Sequence, residues 1–204
     1  MNTLKVLIAD DHAIVRHGLS ALLGTEKGIT VVGQAKDGIE AVKLAKKLIP
    51  DVVVMDIVMP RMDGVEATKA IHEALPETKI VVLTSFGTSD KIADSLEAGA
   101  TGALLKTAED RELMATIRAV ASGEVAISQS VKKLLASDPP IPRLTPRQTE
   151  ILQAMARGLT NKEIAKTISI RTDGVNQHVI AILSKLGAAN RTEAVATAIK
   201  HRLI

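Results

Sequence analysis

Apolar residues fall along this chain in two different rhythms. Up to about residue 122, short unbroken apolar runs alternate with stretches in which apolar positions recur every three or four residues. The runs are Leu4–Ala9, Ile29–Val32, Val52–Met55, Ile80–Leu83 and Thr101–Leu105. A continuous run of that length marks a strand buried on both faces, and the slower repeat marks an amphipathic helix. Helices are predicted over His12–Leu23, Gly38–Leu48, Asp63–Ala74, Asp90–Ala98 and Glu109–Ala121. Their ends carry the expected signals: Asp37 as a cap, Pro50 and Pro76 as stops, and Gly99 and Gly123 past the last turn. Five strand–helix alternations predict a doubly wound, flavodoxin-like α/β domain with a five-stranded parallel sheet over residues 1–122.

The rhythm changes after that. Ser128–Ala136 has the pattern of one short helix, and Pro139, Pro140 and Pro142 then make a stiff extended stretch. Residues 123–143 therefore read as a linker containing a short helix. Residues 144–204 show no strand pattern. Thr145-Pro146 opens a helix with a hydroxyl cap and a first-turn proline. Helical stretches follow over Glu163–Ile168 and Val175–Leu186, and Asn190–Thr192 opens a last one ending near His201. Two short helices joined by a tight turn inside a small bundle form a helix-turn-helix.

The chemistry gathers where strands stop. Val52–Met55 ends at Asp56, and Pro60 and Gly64 enforce a loop beyond it. Taken alone, Asp56 equally well caps or solvates a strand end. Leu4–Ala9, however, runs into Asp10-Asp11, Ile80–Leu83 into Thr84-Ser85, and Ala103–Leu105 into Lys106. Ends of parallel strands share one rim, where such sheets bind ligands. Three carboxylates crowded there repel one another and require a counter-ion. Oxygen donors without cysteine or histidine favour a hard cation such as Mg²⁺, and a lysine opposite suits a phosphoryl group.

Charge sharpens the division. Residues 1–136 carry 16 basic and 18 acidic side chains, and residues 137–204 carry 10 and 5. An acidic front and a basic tail point the second domain at a polyanion. The 204 residues include no cysteine and one aromatic, Phe86. Disulfides are excluded, base stacking is not a binding mode, and the methionines Met55, Met59, Met62, Met114 and Met155 read as packing in an aliphatic core. The N-terminus lacks a signal-peptide pattern and no apolar run approaches the ~20 residues of a membrane span, so a cytoplasmic location without membrane contact is expected. His12 and His72 read as surface residues, although His12 adjoins the acidic pair.

These motifs, in this order, resemble a NarL/FixJ-type two-component response regulator: a receiver domain joined to a LuxR-type helix-turn-helix domain. The receiver likeness rests on Ile8–His12, Met55–Gly64, Leu83–Ser85 and Leu105-Lys106. The output likeness rests on Leu144–Arg147, Gly158–Ala165, Lys185–Gly187 and Asn190–Ala194. The resemblance implies that Asp56 accepts a phosphoryl group from a histidine kinase or small phosphodonor. It implies Mg²⁺ held by Asp11 and Asp56, by Asp10 through water, and by the Val58 carbonyl. Lys106 and Thr84 would meet the phosphoryl oxygens, Thr84 as a switch. The chain would not be an enzyme acting on an outside substrate, although a small metal-dependent phosphatase is a further class to weigh.

The resemblance further implies sequence-specific DNA binding, controlled by phosphorylation through a homodimer that meets two half-sites about one helical turn apart. Helices near His12–Leu23 and Glu109–Ala121 would pair receivers, and the one near Thr192–His201 would pair output domains. The DNA-facing residues would be Lys162, Arg171, Thr172, Val175, Asn176, Gln177, His178, Ile180 and Lys185. Asn176 and Gln177 suit a bidentate contact to adenine, Ile180 a thymine methyl, and Lys162, Arg171 and Lys185 phosphates. Two departures stand out. No aromatic precedes Lys106, so coupling to Thr84 must use aliphatic packing. In the output domain Arg171, Gly174 and Asn176 replace the usual cap, threonine and lysine, with Thr172 or Asp173 available as substitute caps. An output domain that has lost DNA binding and acts through protein contacts is the alternative.

Overall fold

Val52–Asp56 (β3) is buried at every position and lies at the centre of a parallel sheet. The computed structural model describes residues 3–85, 89–137, 140, 144–201 and 203–204. Phe86 and most of the proline-rich stretch (138, 139 and 141–143) lie outside the described residues. The chain divides into two compact units, Met1–Pro140 and Ile141–Ile204.

In the first unit, β1 (Leu4–Ala9), β2 (Ile29–Ala35), β3, β4 (Lys79–Thr84), β5 (Gly102–Leu105) and β6 (Ala126–Ile127) form one sheet in the order β2-β1-β3-β4-β5-β6. Every neighbouring pair is parallel. Alternate residues of each strand feed opposite faces, as a period of two requires. Leu7, Val53, Met55, Ile80, Val82 and Ala103 join one core, and Val6, Ile8, Val52, Val54, Val81 and Leu104 the other. The first is covered by α2 (Gly38–Leu48), α3 (Gly64–Ala74) and α4 (Ser89–Glu97), and the second by α1 (Ala13–Thr25) and α5 (Asp110–Ala121). Each fully buried large aliphatic side chain contributes roughly 1.5–3 kcal/mol. Met55, Met59 and Met114 are buried in these cores, which fits their reading as packing.

Two features differ from the sequence expectation. β2 extends to Ala35 because a register shift at Val6/Leu7 lets Gly33, Gln34 and Ala35 continue pairing with β1. The larger difference is a sixth strand. The stretch 123–137, expected to be linker, is built into the first unit. Ala126 and Ile127 pair with Gly102 and Ala103, and α6 (Gln129–Ser137) seats Val131, fully buried, in the core beside Ala103 and Leu105. The strand covers the outer edge of β5, which would otherwise present unpaired backbone groups.

The second unit holds α7 (Pro146–Ala156), α8 (Asn161–Thr167), α9 (Thr172–Lys185) and α10 (Arg191–Lys200). Thr145 caps α7 and Thr160 caps α8, each in a reciprocal box with the side chain three residues on, Gln148 and Glu163. Ile151, Leu152, Met155, Ile164, Val175, Ile182 and Ala198 form its core. α9 runs unbroken through Gly174 and starts three residues earlier than predicted.

Candidate functional site

β1, β3, β4 and β5 run parallel with Asp56 paired to Leu83 and Thr84 paired to Leu105. Their carboxyl ends therefore share one rim, and the polar residues that end them share it too. The Lys106 ammonium lies 2.7 Å from Asp56 Oδ2 and 2.8 Å from Asp10 Oδ2. Both carboxylates are almost wholly buried, and neither has the water shell that would stabilise its charge. Burial pushes the Asp56 carboxyl above the ordinary range, with Asp10 adding to the rise and Lys106 working against it. Burial alone would lower Lys106, but the hydrogen bonds it donates to Asp10 and Asp56, and their negative charges, outweigh it and hold the ammonium above its usual value.

Ligand oxygens of Asp10, Asp11 and Asp56 and the His12 ring nitrogen all lie within 4.8 Å of one another. Such a set fits a small hard cation, because three carboxylates sit where one ammonium cannot balance them. Beside the oxygen donors expected from sequence, one ring nitrogen also lies in the cluster. His12 Nδ1 lies 2.7 Å from Asp11 Oδ1 and 3.3 Å from Asp10 Oδ1, while its side chain remains 67% exposed. His12 is thus a surface residue and a neighbour of the acidic pair at once. His72 is exposed on α3. Val58 follows Asp56 in the loop, and its N–H faces Asp56 Oδ1 at 3.4 Å. The Thr84 hydroxyl is buried and donates to the Ser85 carbonyl at 3.0 Å.

Three supports were not legible in sequence. Arg16 Nη1 donates to the Asp10 carbonyl at 2.8 Å, fixing the β1 end from α1. Arg61, in the left-handed region at φ 68°, pairs with the fully buried Asp37, and Gly38 N–H donates to the Met62 carbonyl at 3.1 Å. The loop after Asp56 is thereby tied to the start of α2. Asp63 caps α3 and pairs with Lys91 of α4 at 2.7 Å. Among the described residues no cis peptide occurs, so Lys106–Thr107 is trans.

In the second unit, α9 presents Asp173, Asn176, Gln177 and Ile180 to solvent on one face, with Thr172 at its start. That spacing is one helix surface. Arg171 and Lys162 are exposed beside it. Arg171 ends the preceding turn as the cap residue but makes no side-chain cap bond, and Thr172 and Asp173 lie inside the helix, so neither replaces it. Val175 is fully buried and is removed from the DNA-facing set: it belongs to the output-unit core that also holds Ile151 and Ile164. His178 is half-buried. Lys185 is also half-buried and donates to Gln148 Oε1 at 3.0 Å.

Two family models match the chain. The response regulator receiver domain matches residues 6–118, and the luxR family of bacterial regulatory proteins matches residues 142–198. The chain is a response regulator with a LuxR-type output domain.

This response regulator is 44% identical over 209 residues to the transcriptional regulatory protein LiaR of Bacillus subtilis (strain 168), covering 98% of this chain and 99% of LiaR. It resembles the crystallised RcsB response regulator of Salmonella typhimurium, at 28% identity and TM-score 0.74, over 95% of this chain and 98% of that one. It also resembles RcsB in a complex with DNA, at 28% identity and TM-score 0.70, over 98% and 99% of the two chains. No helix of the response regulator's described residues is long and apolar enough to cross a membrane.

Proposed function

We propose that Asp56 is the phosphoacceptor and that its modification controls DNA binding by the LuxR-type unit. The observation carrying this reading is Lys106, whose single ammonium bridges Asp10 and Asp56 beside Asp11. An ammonium held between two buried carboxylates is placed to follow negative charge onto a phosphoryl group on either one.

Asp11, Asp56 and the Val58 carbonyl, with Asp10 through water, would hold Mg²⁺. The cation would supply charge neutralisation to the transferring phosphoryl group. The chain's own groups do the rest. Asp56 attacks phosphorus with one carboxylate oxygen; the bond from phosphorus to the kinase imidazole, or to a small donor's leaving oxygen, breaks as the new P–O bond forms. The leaving group takes its proton from water. Lys106 exchanges its contact with Asp56 for one with the new dianion. The Thr84 hydroxyl leaves the Ser85 carbonyl to donate to the same oxygens. That movement pulls on β4, whose neighbour β5 carries aliphatic residues where an aromatic is common, so the signal passes through Leu83, Leu104 and Leu105. Phosphorylation in this reading favours a homodimer and acts on no outside substrate.

In the output unit, Asn176, Gln177 and Ile180 face base edges, Lys162, Arg171 and Thr172 face phosphates, and His178 and Lys185 lie at the margin. Support comes from α9 forming a complete helix despite Gly174, which weakens the reading of an output domain that has lost DNA binding. The test is selection from a random-sequence DNA pool with and without a phosphoryl mimic. Enrichment that strengthens with the mimic is expected. No enrichment in either state from a folded protein overturns the DNA-binding reading.

A further inference from the structure

We infer that Asn176 reads the base opposite it as a hydrogen-bond donor and selects guanine, because a chain of bonds anchored on Arg191 fixes which end of its amide faces outward. The inference rests on the DNA-binding reading of the output unit. An asparagine amide carries a donor end and an acceptor end, and its partners decide which way it points. Arginine removes the ambiguity, since a guanidinium only donates.

Arg191, at the start of α10, donates through Nη2 to the Leu159 carbonyl and through Nη1 to Asn161 Oδ1 at 3.2 Å. Asn161, at the start of α8, must therefore turn its oxygen to Arg191 and its Nδ2 the other way. That Nδ2 donates to Asn176 Oδ1 at 2.8 Å. Asn176 in turn must offer its oxygen inward, and both of its amide hydrogens remain for the outward side. Reversing either amide would set donor against donor. The polarity of an exposed residue on α9 is thus dictated by an arginine on α10.

The consequence differs from the adenine contact expected from sequence. An asparagine paired to adenine in the major groove accepts from N6 while donating to N7. Here the oxygen is held by Asn161, and an outward-facing –NH₂ meets adenine's own N6 donor. Guanine instead presents two adjacent acceptors, N7 and O6, and thymine one, while cytosine offers only a donor. Guanine is the base that uses both hydrogens. The Gln177 side chain, next to Asn176 on the exposed face, forms no hydrogen bond with another described residue and keeps both ends of its amide for adenine.

The test reverses the polarity without changing the size of any residue. In Asn161→Asp the carboxylate still accepts from Arg191 but can no longer donate to Asn176. The Asn176 amide then turns, giving its hydrogens to the carboxylate and its oxygen to the DNA. The full-length protein, activated with a phosphoryl mimic, is taken through selection from a random DNA pool as wild type, Asn161→Asp, Asn161→Ala and Asn176→Ala. Circular dichroism melts confirm that each folds.

In the wild type, one half-site position is expected to be guanine, preferred on the order of 10-fold over other bases. That preference should vanish in Asn176→Ala and move to adenine or cytosine in Asn161→Asp. Asn161→Ala, which frees the amide, should admit adenine beside guanine. Wild-type preference for adenine at the position lost in Asn176→Ala overturns the inference, as does guanine retained in both Asn161 variants. Absence of any enrichment by folded wild type overturns the DNA-binding reading itself, and this inference with it.

Discussion

The first residue of α3 lies against the backbone of the proposed phosphoacceptor, and this makes Gly64→Ala a sharp perturbation. A Cβ built there would lie 2.1 Å from the Asp56 carbonyl oxygen and 2.8 Å from Ile57 Cα. Gly64 N–H also donates to the Ile57 carbonyl at 2.8 Å, so the two segments cannot part without losing a bond. The backbone angles at Gly64 are open to alanine; the obstacle is space alone. Restoring contact distance requires more than ~1 Å of backbone movement, and overpacking of this kind costs about 1–3 kcal/mol. The reduced freedom of the unfolded chain returns roughly 0.4–1 kcal/mol. The net is a loss of about 1.3 kcal/mol, a fall of about 4 °C for a unit of this size. A displacement of that size also moves the Asp56 oxygens out of line, where ~1 Å can cost on the order of 100-fold in rate. Gly174→Ala is the matched control. Its Cβ would meet only Ile170 Cδ1 at 3.7 Å, so α9 should gain about 0.5–1 kcal/mol. With neither Trp nor Tyr in the chain, calorimetry and circular dichroism are the assays, beside phosphorylation by a small phosphodonor. Gly64→Ala melting with the wild type and phosphorylating at its rate would refute this packing argument.

Other outcomes follow from single contacts. Arg171→Ser supplies the cap that α9 lacks and should stabilise the output unit by about 1 kcal/mol, read as a higher melting temperature; no gain would mean that the turn already satisfies those amides. Val131→Ala should cost about 2 kcal/mol of receiver stability, and a neutral result would return the stretch 123–137 to linker. Burial raises the Asp63 carboxyl, but Lys91 and the amides of Glu66 and Val65 outweigh it and leave the group below its ordinary value. Its contribution is therefore present above the ordinary carboxylate range and lost as pH falls through the lowered value, so Asp63→Asn should flatten the acid limb of a stability–pH curve. Asp56 has the opposite sign: burial raises it, ionised Asp56 burdens the fold at neutral pH, and Asp56→Asn should melt higher than wild type in metal-free buffer.

Much of the receiver was legible because its logic is local. Unbroken apolar runs gave the strands, and each run ended in the residue that the parallel rule sends to a shared rim. Asp10, Asp11, Asp56, Thr84 and Lys106 needed only that rule to be grouped. The partners that hold the group are tertiary and left no such trace. Nothing in the spacing of Asp37 and Arg61 announces an ion pair, and Arg16 reaches a carbonyl that any residue would offer. β6 is two residues long, too short for a period to register, and it drew α6 onto the core with it. In the output unit, the family resemblance put Val175 beside Asn176 on the DNA face, whereas helical geometry turns it inward. The amide relay from Arg191 to Asn176 spans three helices and depends on bond polarity, which no one-dimensional pattern carries.

Phosphoryl transfer to Asp56 is the step on which the proposed switch depends. The direct measurement is intact-mass analysis of the full-length protein after incubation with a small phosphodonor and Mg²⁺, followed by peptide mapping of the modified residue. One phosphoryl group per chain, located at Asp56, dependent on Mg²⁺ and missing from Asp56→Asn, is the predicted result. Labelling of Asp56→Asn at the wild-type rate, or a phosphoryl group mapped to another side chain, would contradict it.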